Sequence, residues 1–501
     1  MTAENICELL ESRVEQAPDK EFLVLESDGR VFTRRQFFGE VNRAAELLAS
    51  LGVIKGERVS LYLTNSAEYL IFYFACFKLG AWAGPVNALL KPQEIEFIVA
   101  NSEAGTLVTQ PDLYPNLSET LTSRNVIVIE ESGQWSIKNK RAVVDTEPQT
   151  TPVSRDDEAV IIYTSGTTGK PKGVLLTHGN ILANAQQIAE WLQLSEADRS
   201  LLIMPLFHVN ALMTTGMAAL WAGASIVLAP RFSASRHWET ISRYGVTYFG
   251  SVATMLSLLN HTYPDGVPEQ FDTSQLRFAL CGSAPVPVEV MKRFESLFDC
   301  PVIEGYGLSE STCRSTFNPV DDRRRAGSIG LPIGNQMRVF DDKDGELGPN
   351  QVGEIVLRGS NLMKGYYKNE AATREAFRSG WFHSGDLGFR DEDGFFYVVD
   401  RKSDMIIRGG ENIYPREIDE VLYQHPLVKD AATIGVADAL YGEEVKSFVV
   451  LRDDCEATEA EILEFCRARL ADFKCPKTIE FLVDIPKGPT GKLLKRELSR
   501  H

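Results

Sequence analysis

Short apolar runs, each long enough for one buried strand, fall at residues 159–163, 224–228, 276–281 and 301–304. Between them, residues 181–192 and 288–298 place apolar side chains three and four apart. Such alternation predicts a parallel sheet covered by helices. Ligands of these sheets sit beyond the carboxyl ends of the strands, so the loops that follow the runs are where chemistry is expected. After about residue 322 the texture changes to shorter strands and to turns such as Asp344-Gly345 and Asp393-Gly394, which predicts a β-rich subdomain over about 322–400. Beyond it, residues 415–423 and 458–469 read as helices and 431–436, 447–451 and 479–483 as strands. The predicted class is α/β. A large N-terminal domain, residues 1–400, combines several parallel-sheet α/β units with the β-rich subdomain, and a small mobile α+β C-terminal domain follows at 401–501.

Composition narrows the function. The chain has 501 residues, 44% hydrophobic and 24% charged, the balance of a globular protein with room for about three structural units. With 52 Lys+Arg against 69 Asp+Glu the formal charge is -17, the wrong sign for a binder of phosphate backbones, so nucleic acid is not an expected partner. The eight cysteines contain no C-x-x-C pair and the seven histidines no H-x-x-x-H, which leaves a zinc site or disulfide framework without support. Acids close to Met1 and the lack of an apolar stretch behind it argue against a signal peptide, and a cytoplasmic location is expected. Residues 201–230 carry no charge and match a membrane span in length, yet Pro205, Gly216 and Gly223 punctuate them as a loop, a helix and a buried strand. No transmembrane segment is expected.

The run ending at Tyr163 empties into Thr164, Ser165, Gly166, Thr167, Thr168, Gly169, Lys170, Pro171, Lys172 and Gly173. Close-approaching backbone N–H groups, hydroxyl donors and two lysines are what a polyphosphate needs. The loop is not a Walker A motif, because Thr164 stands where that pattern needs Gly and Pro171 where it needs Ser or Thr.

This loop resembles the signature of the acyl-adenylate-forming superfamily, which includes acyl-CoA synthetases, peptide-synthetase adenylation domains and firefly luciferase. Further motifs follow in that family's order: Pro205-Leu206-Phe207-His208, Gly282-Ser283-Ala284-Pro285, Tyr306-Gly307-Leu308-Ser309-Glu310, Ser384-Gly385-Asp386, Asp400-Arg401 and Gly488-Pro489-Thr490-Gly491-Lys492. The resemblance implies ATP, Mg²⁺ and coenzyme A as cofactor and co-substrates. It implies that Glu310 holds Mg²⁺, that the Ser309 hydroxyl reaches the α-phosphate, and that the Tyr306 ring faces adenine beside the backbone of Gly282, Ser283, Ala284, Glu304, Gly305 and Gly307. Asp386 suits the ribose hydroxyls, with Arg401 close by, and Lys492 bridges carboxylate and α-phosphate as charge builds at phosphorus. His208 borders the acyl site and gates it. Ser403 is the implied hinge of a domain rotation that brings Gly409 and Gly410 to the thiol step.

The implied reaction joins a small-molecule carboxylic acid to ATP, giving acyl-AMP and pyrophosphate, and then transfers the acyl group to a thiol. With no carrier or condensation domain in the chain, coenzyme A is the expected thiol; loading of an acyl-carrier protein is the alternative, and a catalytically silent ATP-binding module the alternative of another class. His208 stands where amino-acid-activating relatives carry Asp, which argues against α-amino acids. The apolar stretch 211–223, with Gly250 and Ser251, predicts a neutral pocket for a fatty or aryl tail. Arg231-Phe232-Ser233-Ala234 and Arg408-Gly409-Gly410-Glu411-Asn412 resemble carnitine and crotonobetaine ligases, a texture shared widely. Arg314, four residues past Glu310, is expected to be a surface ion-pair residue, or to pair a second carboxylate.

Overall fold

The computed structural model describes residues 3–140, 152–164, 171–283, 286–438, 440–453, 455–487 and 494–498. Two large sheets carry the N-terminal part. In the first, Val302–Glu304, Phe278–Cys281, Tyr248–Ser251, Arg199–Leu202, Ser225–Leu228 and Glu21–Leu25 run parallel in that order, and Val31–Thr33 closes the edge antiparallel. Of its strands, Ser225–Leu228, Tyr248–Ser251 and Phe278–Cys281 are buried at every position, as strands covered on both faces must be. In the second, Glu158–Thr164, Trp82–Pro85, Arg58–Leu61, Thr106–Thr109 and Asn125–Ile129 are parallel, flanked by antiparallel Lys172–Thr177 with Gly365–Tyr366 on one side and Trp135–Asn139 on the other.

Contrary to the single sheet that the alternation predicts, the run at 159–163 belongs to this second sheet and not with the other three. Its next partner, Lys172–Thr177, returns antiparallel after a connection too short for the parallel crossover, which takes about a dozen residues or more. The remaining runs form the expected parallel sheet, with helix Val288–Phe298 against Val302–Glu304, whereas helix His178–Trp191 packs on the Ala211–Ala222 helix.

The helix Ala67–Leu79 is apolar on all sides and buried from Ala67 to Phe77, started by the Ser66 side chain on the Tyr69 N–H and ended at Gly80 with φ 65°. It contributes to a core that runs from Ala3 to Phe396. Residues 201–230 supply the end of one strand and then, as expected, a loop, a helix and a buried strand to the same core. Among the described residues no helix is long and apolar enough to cross a membrane.

Strands Gln336–Phe340, Gly353–Arg358, Phe382–Arg390 and Phe396–Arg401 form an antiparallel sheet, and the first shows the in–out alternation of a half-buried strand. The small C-terminal part has its own core, from Ile406 to Ile479, under a sheet ordered Glu411–Ile413, Ile406–Arg408, Gly442–Leu451, Val428–Asp438, with Thr478–Phe481 parallel to Gly442–Leu451. The two parts meet where Arg416, in helix Pro415–Tyr423, donates to the Val398 carbonyl at 2.7 Å and its backbone N–H to Asp400 at 3.0 Å.

Candidate active site

The loops after Arg199–Leu202, Phe278–Cys281 and Val302–Glu304 converge at the carboxyl edge of the first sheet, the crevice where ligands of open α/β sheets bind. Gly282, Gly305 and Gly307 lie here, and packing sets their identity. A β-carbon at Gly307 would fall on the Cys313 carbonyl, and one at Gly282 on the Arg314 guanidinium and the Gly305 carbonyl. Ser283 holds a φ of 71°, a costly conformation for a residue with a side chain and one that clusters at functional sites. Ala284 lies outside the described residues, as do Ser165, Gly166, Thr167, Thr168, Gly169, Lys170 and Lys492. Thr164 and Lys172, the pair that flanks the phosphate-type loop, face each other across the hairpin.

Tyr306 and Asp386, 80 residues apart, are joined by a hydrogen bond of 2.6 Å from the phenol to Oδ2. Asp386 is 3% exposed. It stands opposite Arg401 in the antiparallel sheet, whose Nε lies 3.0 Å from Oδ1. Burial and then the Asp386 charge push the Tyr306 phenol well above its ordinary range, so it is a donor at neutral pH, while Asp386 raises the affinity of the Arg401 guanidinium for its proton. Each carboxylate oxygen has two lone pairs, so a group that already accepts one bond can accept a ligand hydroxyl beside it.

Ser309 and Glu310 lie in the 3₁₀ turn Ser309–Ser311. Glu310 accepts from the Tyr366 hydroxyl at 3.0 Å, and the Lys172 ammonium sits 5.0 Å from the Tyr366 ring centroid. The phosphate-type hairpin and the Glu310 turn are therefore neighbours. Sequence reasoning missed Tyr366, because no spacing rule links it to a residue 56 positions earlier. Among the described residues no cluster of three or more His, Cys, Asp or Glu could hold a metal, so a cation here would take Glu310 and complete its shell with phosphate oxygens and water.

Glu304, expected to offer only its backbone, buries its carboxyl with Oε2 unpartnered. Burial, opposed by Arg416 and reinforced by Glu420, pushes that carboxyl up to about 7. His208 packs on Phe207 with ring centroids 4.4 Å apart, and burial holds its imidazole down at about 4, so it is neutral at pH 7. Its Nε2 has no hydrogen-bond partner. Phe207 also walls an apolar cavity of about 350 Å³ with Met204, Pro205, Phe232 and Met255.

The stretch expected to form a neutral pocket is a helix whose first seven residues, Ala211–Met217, are π-helical, a local geometry frequent at functional sites. Its hydroxyls turn back on the backbone, Thr214 to the Asn210 carbonyl and Thr215 to the Ala211 carbonyl. Arg314 is not at the surface and forms no ion pair among the described residues. It is 2% exposed, because the chain folds back after Gly307 and tucks the guanidinium beneath Gly282 and Gly305. Ser403 occupies an exposed turn after Phe396–Arg401, its hydroxyl bonded to Asp404, and Gly409 and Gly410 are exposed with φ of 59° and 91°.

An α/β body with its motifs gathered at the carboxyl edge of a parallel sheet, a β-rich sheet beside it and a small α+β unit behind is the architecture of adenylate-forming enzymes. Residues 10–367 match the family model described as AMP-binding enzyme, and residues 417–492 the one described as AMP-binding enzyme C-terminal domain. The chain belongs to the AMP-binding enzyme family, within the acyl-adenylate-forming superfamily. It is 37% identical over 508 residues to a sulfoacetate–CoA ligase of Cupriavidus necator, covering 99% of this chain and 98% of that one. It is 34% identical over 511 residues to a long-chain-fatty-acid–CoA ligase of Bacillus subtilis, covering 94% and 90%. The crystal structure of ATP-bound MatB from Rhodopseudomonas palustris superposes with a TM-score of 0.89 at 28% identity, over 98% of both chains.

Proposed function

We propose that this chain is an AMP-forming carboxylate–CoA ligase. A carboxylate oxygen of the acid attacks the α-phosphorus of ATP, pyrophosphate leaves, and the coenzyme A sulfur then attacks the acyl carbon of the mixed anhydride, releasing AMP. Adenylation exchanges a poor leaving group for a good one, and the protein's part in both steps is positioning and electrostatics. The observation that carries this reading is the convergence of two hydrogen-bonded pairs from distant motifs, Tyr306 with Asp386 and Glu310 with Tyr366, beside the hairpin that Thr164 and Lys172 flank.

In this reading the adenine lies against Tyr306 between the backbones of Gly282–Ala284 and Glu304–Gly307. The ribose diol bonds Asp386, with Arg401 fixing that carboxylate. The phosphates lie along Thr164–Lys172, and Ser309 reaches the α-phosphate. Glu310 would hold Mg²⁺, whose charge would offset that of the phosphates. Lys492 bridges the carboxylate and the α-phosphate in the first step. His208, neutral and apolar-packed, positions the acyl group rather than moving a proton. The small unit, residues 401–501, rotates about Ser403 to present Gly409 and Gly410 for the thiol step, and the exposed turn there leaves the backbone room to change. The test is pyrophosphate release across a panel of carboxylic acids, with and without coenzyme A. Acid-dependent release, with thioester formed only when coenzyme A is present, is expected. Acid-dependent release that yields thioester only on a phosphopantetheinyl protein would replace coenzyme A as the acceptor.

A further inference from the structure

Arg314 is the buried charge that the adenylate cluster leaves unused. It lies where the loops after three parallel strands meet. Nη1 donates to the Gly305 carbonyl at 2.9 Å and Nη2 to Asn210 Oδ1 at 3.2 Å, while Nε is buried with no partner at all. A guanidinium has five N–H donors. No carboxylate pairs with it among the described residues, and burying a cation without a counter-ion is costly. Glu304 feels its charge, but burial pushes that carboxyl up to about 7, so it is only partly ionised at neutral pH and is no standing counter-ion. Arg34 provides the contrast. It is equally buried at 2%, yet its guanidinium donates to the carbonyls of Arg13 and Gly223, at the C-terminal ends of two helices, where a cation complements the helix dipole. The Gly305 carbonyl follows a strand and ends no helix.

Arg314 also has a route to the open crevice. The Asn210 amide, which accepts from Arg314, donates through Nδ2 to the Ser283 hydroxyl at 3.1 Å, and Ser283 is exposed on its strained turn. Asn210 directly precedes the π-helical segment, whose Thr214 hydroxyl steadies it at 2.9 Å. A hydroxyl, an amide and a guanidinium thus line up inward from the crevice.

We propose that Ser283, Asn210 and Arg314 form the subsite for a second anionic group on the acid, so that the substrate is a short acid bearing a further carboxylate or a sulfonate. The inference rests on the ligase reading and names the substrate class within it. An anion brought to this set is attracted by a cation whose field the low-dielectric surroundings do not screen.

The experiment compares kcat/KM for pyrophosphate release by the full chain with malonate, succinate and sulfoacetate against propanoate, butanoate, octanoate and benzoate. The dianionic acids should exceed monoanions of equal length by about 30-fold or more, the scale of a buried charge contact. Ranking malonate against sulfoacetate, which share a one-carbon spacer, then separates a carboxylate from a sulfonate as the second group. Arg314→Met should bring the ratio of succinate to butanoate kcat/KM down to about 1, through KM for the dianion, whatever loss the two acids share, and Arg314→Lys should restore part of the ratio. Equal use of both classes by the wild type would overturn the proposal. So would a preference for octanoate, which would assign the tail to the apolar cavity beside Phe207. An Arg314→Met enzyme that loses both classes equally would mark Arg314 as a prop for the Gly305 carbonyl. If that variant does not fold, the wild-type ranking and Arg314→Lys still decide. Release with no acid in the panel would instead refute the ligase reading itself.

Discussion

Replacing Tyr306 by Phe deletes a 2.6 Å donor to a nearly buried carboxylate and changes little else, since the ring stays. A hydrogen bond to a charged group contributes about 1.5–3 kcal/mol, so Tyr306→Phe should lower the unfolding free energy by about that amount. Asp386→Asn removes the charge that both Tyr306 and Arg401 address. The Arg401 side chain is 36% exposed, so water solvates it when its partner is lost, and the cost should be about 1–3 kcal/mol rather than that of a fully buried broken pair. Because both substitutions act on the same bond, one removing its donor and the other the charge that strengthens it, the double variant should lose about 1–2 kcal/mol less than the sum of the singles. The assay is a double-mutant cycle by guanidinium denaturation, read beside the KM for ATP. That KM should rise about 10-fold in Tyr306→Phe with kcat nearly kept, as expected when binding common to ground and transition states is lost. Losses that add within about 0.5 kcal/mol, with an unchanged KM for ATP, would refute the pairing and its role.

Glu304, whose carboxyl is pushed up to about 7 by burial, binds a proton in the folded state at pH values where the unfolded chain has released it; stability should fall as pH rises from about 4.5 to 7, by about 3 kcal/mol, and Glu304→Gln should flatten that slope in denaturation curves. Glu310→Ala should cut use of Mg²⁺-ATP by about 100-fold or more with the thermal midpoint nearly kept, whereas an unchanged Mg²⁺ dependence would remove Glu310 from the metal. His208→Asn should leave the pH–rate profile between 6 and 8 without a new limb, since the imidazole titrates at about 4; a lost limb would make it a proton carrier. Lys492→Ala should abolish acyl-AMP formation and spare thioester formation from supplied acyl-AMP, and equal loss in both half-reactions would defeat that assignment.

The parts of this site that were legible in the sequence are those where one short segment carries both the geometry and the chemistry. The hydroxyl- and lysine-rich loop around Thr164, the Tyr306–Glu310 turn and the helix Val288–Phe298 fall in this group. What stayed hidden depends on pairing across long separations. Nothing local separates the run at 159–163 from those at 276–281 and 301–304, because all three are short, mostly apolar strands, and only the short return to Lys172–Thr177 assigns it to the other sheet. The burial of Arg314 is decided by the chain folding back on Gly307, and an arginine surrounded by Ser, Thr and Cys reads locally as exposed. The π-helical start at Ala211 has no propensity signature; it is defined by backbone bonding one residue wider than in an α-helix, which only the folded chain shows.

The most direct test of the central claim follows the oxygen atoms. An acid that supports pyrophosphate release is supplied with its carboxylate labelled by heavy oxygen, together with ATP and coenzyme A, and the AMP is analysed by mass. Attack of carboxylate on the α-phosphorus followed by thiol attack on carbon leaves one labelled oxygen in every AMP, with unlabelled pyrophosphate. Label absent from AMP, or label in orthophosphate with ADP as the nucleotide product, would contradict an acyl-adenylate pathway.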